Sequence, residues 1–382
     1  VLKFRGKLRQ NPALAMETLT AVLVGGGCFA WLQQRRKPKS VEEVPPKMQR
    51  LVLREANKDI TLAKLEIEEV DTPQPKPGQL LIKVLAAPVN PSDDGAWKTP
   101  PSRGYPLPLG NEGSGLVVAT GGGVWASQFV GKKVAFTGKS YAQYAVVDAF
   151  GMGPWSLPSS IKVEDACAYF VNPFTVISIV EAVRSKKGKA FIHTAAASQL
   201  GQMMVKYCQK EGIALVNLVR RKEQVELLQN LGAKYIVNTS DPEWKSALGK
   251  MMMELQVSQV VDCIAGDFTA ELIELLPPGG TAWVYGRLSG KDLSSINPIQ
   301  LIYFGKKLEG FLVSSWIFKD GMVRGLLRAR KQAAIVAKNF DIFGSQGFKD
   351  VSMKDMHQAY CSHLASGATG GKLRVRPWSF KG

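Results

Sequence analysis

The sequence predicts an α/β protein in which a doubly wound parallel sheet sits beside a separate, strand-rich domain. Three observations carry that expectation. Residues 189–221 read strand, small-residue turn, helix, strand within about thirty residues, the βαβ unit from which parallel sheets are built. Strand-type and helix-type runs keep alternating from there to about residue 285. Before residue 172 the pattern is of another kind, short strands punctuated by Gly and Pro.

Residues 13–32, ALAMETLTAVLVGGGCFAWL, form the longest apolar stretch, broken by Glu17 and two threonines. Twenty helical residues span about 30 Å, the thickness of a bilayer core. Trp31 stands where an interfacial aromatic belongs, and basic clusters flank both sides. Three readings compete: a single-pass membrane anchor, a targeting segment, and a helix packed into a partner. The first sixteen residues are basic and free of acids, as in a mitochondrial presequence. The expected division is a basic tail with its anchor helix over 1–40 and a polar, Pro-bearing linker over 41–50.

From Leu51 the chain alternates like an antiparallel sheet: LVLRE, TLAKLEIEEV, then QLLIKVLAAPV after a Pro-rich turn. Gly115–Thr120, Lys133–Phe136 and Tyr141–Val147 are further strands. Asn172-Pro173 opens a helix that leads into the βαβ unit. Ala190–Thr194 is its first strand, Gln199–Lys210 its helix with apolar residues at Leu200, Met203, Met204 and Tyr207, and Ala214–Val219 its second strand. Helix Glu223–Leu231, strand Tyr235–Asn238, helix Glu243–Leu255, strand Gln259–Ile264, helix Phe268–Leu276 and strand Thr281–Tyr285 continue the series. After about residue 300 the alternation breaks, and residues 303–382 are expected to rejoin the first domain. That assigns 51–172 with 303–382 to the β domain and 173–302 to the parallel sheet.

At 382 residues the chain can build two cores, and 45% hydrophobic with 21% charged residues are globular values. The five cysteines are scattered without C-x-x-C spacing, which argues against a disulfide framework or zinc cluster and suits a reducing compartment. Net charge is +17, of which the first forty residues supply +7. No basic–aromatic platform or nucleic-acid motif accompanies it, so nucleic acid is not an expected partner. Phosphate-bearing cofactors, anionic lipid or an acidic protein fit the charge better.

The βαβ unit suggests a dinucleotide site, because a helix N-terminus offers unpaired N–H groups and a positive dipole to a pyrophosphate. The turn reads Ala-Ala-Ala-Ser-Gln-Leu-Gly in place of G-x-G-x-x-G, with only Gly201 retained. A purely structural βαβ unit remains the alternative. The second strand ends Val219-Arg220-Arg221, with no acid before Glu223. An NAD-type site places an acid there for the ribose hydroxyls, whereas arginine suits the 2′-phosphate of NADPH. A solvated basic loop is the other reading of the same residues.

The order AAPVNPSD (86–93), LGNEGSG (109–115), YAQYAVV (141–147), VNPFT (171–175), the βαβ unit, VDCIAGD (261–267), VYGRLSG (284–290) and SGATGGKLRVRP (366–377) resembles the medium-chain dehydrogenase/reductases. The resemblance covers roughly residues 50–378 and is to the zinc-independent branch, quinone oxidoreductases and mitochondrial trans-2-enoyl-thioester reductases. It implies a GroES-like β domain interrupted by a Rossmann domain. It places the pyrophosphate turn on Ala197, Ser198, Gln199, Leu200 and Gly201, at the length found in the enoyl reductases. The 2′-phosphate arginine falls on Arg220 with Arg221. Thr175, Gly286 and Lys372 stand where relatives line the nicotinamide or the cofactor cleft. Zinc-dependent relatives carry Cys and His where this chain has Ser92 and Asn111, and they carry a four-cysteine lobe that is missing here, so no zinc is expected.

Without metal, such a reductase needs cofactor placement, a donor to the carbonyl oxygen and a proton source. Asn90 is the candidate to orient substrate or nicotinamide, with Ser92, Asp93 and Tyr141 for positioning or proton relay. Against these stand plainer readings: Asn90–Asp93 as a helix-capping turn, Tyr141 as a strand aromatic, His193 as a core histidine, Glu112 as a loop holder. The enoyl reductases carry a proton-donating tyrosine shortly after PSD, and Asp94–Thr99 holds none. Two functions are therefore carried forward. One is an NADPH-dependent quinone or enone reductase anchored through 13–32. The other is an accessory subunit of a mitochondrial inner-membrane complex, with a chloroplast envelope as the alternative home.

Overall fold

The computed structural model describes residues 39–345, 347–366 and 371–379. The expected anchor helix at 13–32 lies outside them. An eight-stranded sheet forms the first layer: β1 (Lys39–Ser40), β4 (Gln79–Pro88), β6 (Glu112–Thr120), β7 (Lys133–Thr137), β8 (Tyr144–Asp148), β9 (Trp155–Ser156), β16 (Phe348–Val351) and β17 (Lys372–Val375). Its main path runs β16-β17-β4-β6-β7-β9, with β1 on β6 and β8 on β4. A smaller sheet pairs β2 (Lys47–Glu55) with β3 (Lys64–Asp71) and β5 (Leu107–Pro108). β4 sits centrally, and its near-continuous apolar run LLIKVLAAP is buried on both faces.

Of the linker expected at 41–50, residues 41–46 carry neither helix nor strand, while 47–50 are already strand. β1 pairs with Thr120 and Ala119, the Val41 N–H donates to the Val118 carbonyl, and β2 already begins at Lys47. The segment reads as polar because only Met48 among Lys47–Arg50 is buried. Met48, buried among Leu81, Val118, Ala142 and Tyr144, is the residue that pins the segment down.

The short helix α1 (Asp94–Lys98) follows the Asn-Pro-Ser-Asp stretch. Helix α2 (Val171–Ser185) leads into the second layer, a six-stranded sheet whose every pairing is parallel. Its elements in chain order are β10 (Ala190–His193), α3 (Gln199–Glu211), β11 (Ala214–Val219), α4 (Lys222–Asn230), β12 (Tyr235–Asn238), α5 (Trp244–Leu255), β13 (Gln259–Asp262), α6 (Asp267–Leu275), β14 (Thr281–Val284) and β15 (Lys307–Gly310). The strand order is β12-β11-β10-β13-β14-β15. Gly212 ends α3 in the left-handed conformation at φ 67°, where its N–H reaches the Cys208 and Gln209 carbonyls.

The series does not stop at β14 as the sequence suggested. β15 pairs with it in parallel, Thr281 opposite Lys307 through Val284 opposite Gly310. Lys-Leu-Glu-Gly carries almost no apolar signal because an edge strand needs only one neighbour. Helices α7 (Pro298–Ile302), α8 (Val313–Phe318) and α9 (Met322–Lys338) also stay with this layer: Gln332 of α9 donates to Ser178 Oγ of α2 at 3.0 Å. Within 303–382, β16 and β17 are the strands that return to the first sheet. Helix α10 (Met356–Ala365) packs beside them.

One described helical run, Asp165–Ser185, is long and apolar enough to cross a membrane, and 83% of its apolar window is buried inside the fold. It is the core helix between the two sheets. Lys306 shows how the second layer closes its helix ends, its Nζ capping α6 at the Ile273 and Glu274 carbonyls, 3.0 and 2.9 Å away.

Candidate active site

The strand order reverses direction between β10 and β13, so the turn after β10 opens at the switch point of the parallel sheet. Thr194 and Ala195 leave the strand, and Ala195 takes φ 48° to make the turn tight. Ala196 and Ala197 are buried, and Ser198 caps α3 by accepting the Gly201 N–H at 3.1 Å. At Gly201 a Cβ would stand 2.1 Å from the Ala196 carbonyl oxygen, so no larger residue fits there. The turn that lacks two of three glycines thus keeps the one its packing cannot lose. Ser198, Gln199 and Leu200 are half-buried at the helix N-terminus.

β11 ends beside this turn, and Arg220 and Arg221 follow it with exposed side chains. The Arg220 main chain is tied down at both ends, its N–H to Gln224 Oε1 at 3.0 Å and its carbonyl to Ser240 Oγ at 2.7 Å. A small-residue cradle at a helix N-terminus with a guanidinium on the next strand fits a phosphorylated dinucleotide. On the far side of the switch point, Asp262 receives Thr194 Oγ1, Thr269 Oγ1 and the N–H groups of Ile264 and Ala265, which fixes the second loop of the crevice. Gly286 lies against Cys263, where a Cβ would come within 2.9 Å.

A second cluster forms where the first sheet meets α2. Glu112 on β6 is buried, and its Oε2 accepts the N–H groups of Phe170 and Val171 at the start of α2, at 2.8 and 3.0 Å. Its Oε1 accepts Asn90 Nδ2 at 2.9 Å. Asn90 Oδ1 in turn accepts Lys372 Nζ from β17. Next to this chain, Asp93 Oδ2 accepts the Asn90 N–H at 2.7 Å and the Tyr141 hydroxyl at 3.1 Å, while Oδ1 accepts Asn111 Nδ2 at 2.6 Å. Thr175, one turn into α2, donates its hydroxyl to the Val171 carbonyl at 2.6 Å.

The structure places several sequence candidates among definite partners. Asn90 is 1% exposed and both ends of its amide are taken, so it is a crossbar between Glu112 and Lys372. Tyr141 is also fully buried and donates to the Pro88 carbonyl as well as to Asp93. Ser92 and Asn111 are the exposed polar side chains of the cluster. His193 is a core histidine, with Nε2 2.7 Å from the Tyr285 hydroxyl and Nδ1 without a partner among the described residues. Glu112 was the residue undervalued from sequence. Its signal was an acid inside a Gly-rich strand start that no surface position required. Trp97 fills the segment without a tyrosine; fully buried, it lies edge-on to His357 and Tyr360.

Burial sets the electrostatics. It pushes the Glu112 carboxyl up and the Lys372 ammonium down, and each charge restrains the other's shift. It pushes Asp93 up to about 7, against the donors from Asn90 and Tyr141. Between about pH 4 and 7 the folded chain then holds a proton that unfolded Asp93 has released, so this group's contribution to stability falls as pH rises through that window. Asp93→Asn removes the slope. Its unfolding free energy relative to the unmodified protein should rise by ~1 kcal/mol per pH unit from pH 4.5 to 7 in urea titrations. Parallel profiles would mean that Asp93 titrates normally. His193, held down to about 3 by burial, slopes the other way in both proteins and cancels.

Among the described residues, no three His, Cys, Asp or Glu side chains gather as metal ligands would. Residues 76–157 match the alcohol dehydrogenase GroES-like domain family, and residues 200–329 match the zinc-binding dehydrogenase family. A mitochondrial enoyl-[acyl-carrier-protein] reductase of Bos taurus is 30% identical over 260 residues, covering 62% of this chain and 65% of its own length. Its Xenopus tropicalis counterpart is 30% identical over 276 residues, covering 66% and 74%. A Mesorhizobium loti structure assigned as an NADPH:quinone reductase superposes with a TM-score of 0.74 at 30% identity, over 88% of this chain and all of that one. The fold is shared with Escherichia coli quinone oxidoreductase, solved with NADPH, at 19% identity and a TM-score of 0.71 over 86% of this chain. With a GroES-like sheet, a Rossmann-type parallel sheet and these relatives, the chain belongs to the medium-chain dehydrogenase/reductase superfamily.

Proposed function

We propose that the protein is a zinc-independent, NADPH-dependent reductase of a quinone, an enone or an enoyl thioester. The observation that carries this is the switch-point turn Ala195–Gly201 at the N-terminus of α3, with Arg220 on the neighbouring strand. Ala197, Ser198, Gln199, Leu200 and Gly201 would receive the pyrophosphate, and Arg220 with Arg221 the 2′-phosphate. When bound, NADPH supplies a hydride. The Asn90–Glu112 crossbar holds the Lys372 ammonium in place, and that buried cation favours negative charge developing on a nearby carbonyl oxygen. Gly286 and Thr175 keep the crevice walls close, while Ser92 and Asn111 offer exposed polar groups to a substrate.

Residues 13–32 would anchor the chain, and the mitochondrial relatives favour a mitochondrial home, in this reading the inner membrane. A second reading is an accessory subunit that keeps the fold for binding NADPH or for structure. The buried Trp97 and the saturated Asn90 amide favour it, because both remove groups that could touch substrate.

The test is NADPH oxidation followed at 340 nm with short-chain quinones, enals and 2-enoyl thioesters as acceptors. Turnover of any class supports the reductase, whereas measured NADPH affinity with no turnover supports the accessory reading. Arg220→Ala should weaken NADPH binding by ~10–100-fold, as expected for a lost charge-assisted contact, and leave NADH binding unchanged. Equal losses for both cofactors would take the 2′-phosphate role away from Arg220.

A further inference from the structure

We propose that the outer face of α9, with the groove between α8 and α9, docks on an anionic lipid surface. The inner face of α9 is committed to the fold. Gly325, Ala329, Gln332, Ala333 and Val336 are buried, and the Tyr169 hydroxyl donates to the Ala333 carbonyl at 2.7 Å. At 3.6 residues per turn, Val323, Ala334, Leu327, Lys338 and Lys331 fall on the opposite side within about 80° of one another. Arg330 and Arg324 flank that stripe. Leu327 is 60% exposed and Val323 43%, so two aliphatic side chains stand in water among the cations.

The charge there is not neutralised by the protein. Residues 311–340 hold six Lys and Arg against Asp320 alone. Asp320 and Glu181 are both engaged with Arg328. Arg330 lies over the Trp125 and Phe150 rings. Arg324, Lys331 and Lys338 form no ion pair among the described residues. Beside the stripe, a groove of about 530 Å³ has Trp316 and Leu327 in its lining, with Lys319, Arg324 and Lys331 also on its wall. Lys319 Nζ sits 3.4 Å from the centre of the Trp316 ring.

A basic face with aliphatic side chains on its central line matches the chemistry of a membrane surface: cations meet lipid phosphates while Val323 and Leu327 leave water. A nucleic acid would use the cations and leave the aliphatic residues exposed. This proposal does not depend on the proposed reaction.

The test uses the full chain with Cys28→Ser, Cys361→Ser and Leu327→Cys, carrying an environment-sensitive NBD label at position 327. It is mixed with vesicles of phosphatidylcholine alone, or with about 30% phosphatidylserine added to raise a negative surface potential. Because the label reports its own surroundings, insertion of residues 13–32 into either vesicle does not by itself change the signal. The expected result is a blue shift and emission gain on the anionic vesicles, reversed at about 0.5 M NaCl by screening. Arg324→Glu with Lys331→Glu and Lys338→Glu should weaken the response by about a hundredfold or more, at roughly fivefold per lost cation. A response of equal size on phosphatidylcholine, none on either vesicle, or one unaffected by the three reversals would overturn the proposal. So would the same shift with duplex DNA or polyaspartate in place of vesicles. If the triple variant does not fold, the salt and lipid dependence of the labelled parent still decides.

Discussion

Glu112→Ala will lower the unfolding free energy by about 3–5 kcal/mol, the range for breaking a buried charge pair by removing one partner. Three effects act in one direction. The N–H groups of Phe170 and Val171 lose their acceptor at the N-terminus of the core helix. Asn90 Nδ2 loses its partner, which frees the amide to rotate away from Lys372. Lys372 then stays buried without the opposing carboxylate. Glu112→Gln should cost less, because one amide oxygen still accepts, but its NH₂ group must face donors where the carboxylate faced them. Urea unfolding at pH 7 measures both. A loss for Glu112→Ala below ~1 kcal/mol would mean that the crossbar adds little to the stability of the fold.

Gly201→Ala is the second large effect. The added methyl would meet the oxygen, carbonyl carbon and Cα of Ala196 at 2.1, 2.5 and 2.7 Å, all main-chain atoms with no rotamer to relieve them. The turn or the helix must therefore move. Overpacking of this kind costs typically ~1–3 kcal/mol. The displaced N-terminus of α3 should also weaken NADPH binding by at least about tenfold, since near-contact hydrogen bonds tolerate little displacement. Calorimetric unfolding and a binding titration on the same sample separate the two effects. Unchanged affinity with lowered stability would move the pyrophosphate away from this turn.

The inner strands of the parallel-sheet layer were legible because they are buried on both faces and write themselves as continuous apolar runs. Ala214–Val219 and Tyr235–Asn238 appear in the structure with the boundaries read from the sequence. Gly212 was readable as a helix end for the same physical reason that it adopts positive φ. Two strand segments were not legible. β15 is an edge strand and the first four residues of β2 bury only Met48, so their composition resembles that of a loop. The site divided in the same way. The cofactor turn is local in sequence, and its seven residues could be read together. The Lys372–Asn90–Glu112–Phe170 chain draws on positions up to 282 residues apart, and no spacing rule links them. Sequence suggested Asn90 to orient substrate or nicotinamide; the structure adds that its amide joins Glu112 to Lys372.

The central claim is best tested by a thermal-shift titration of the protein with NADPH and NADH in parallel. A ligand at about 100 times its dissociation constant stabilises by ~2.7 kcal/mol, a shift of several degrees or less that is readily measured. The expected result is a saturable rise with NADPH at concentrations where NADH gives little or none, and loss of that preference in Arg220→Ala. An equal response to both cofactors would contradict the 2′-phosphate assignment, and no response to either would contradict the reductase itself.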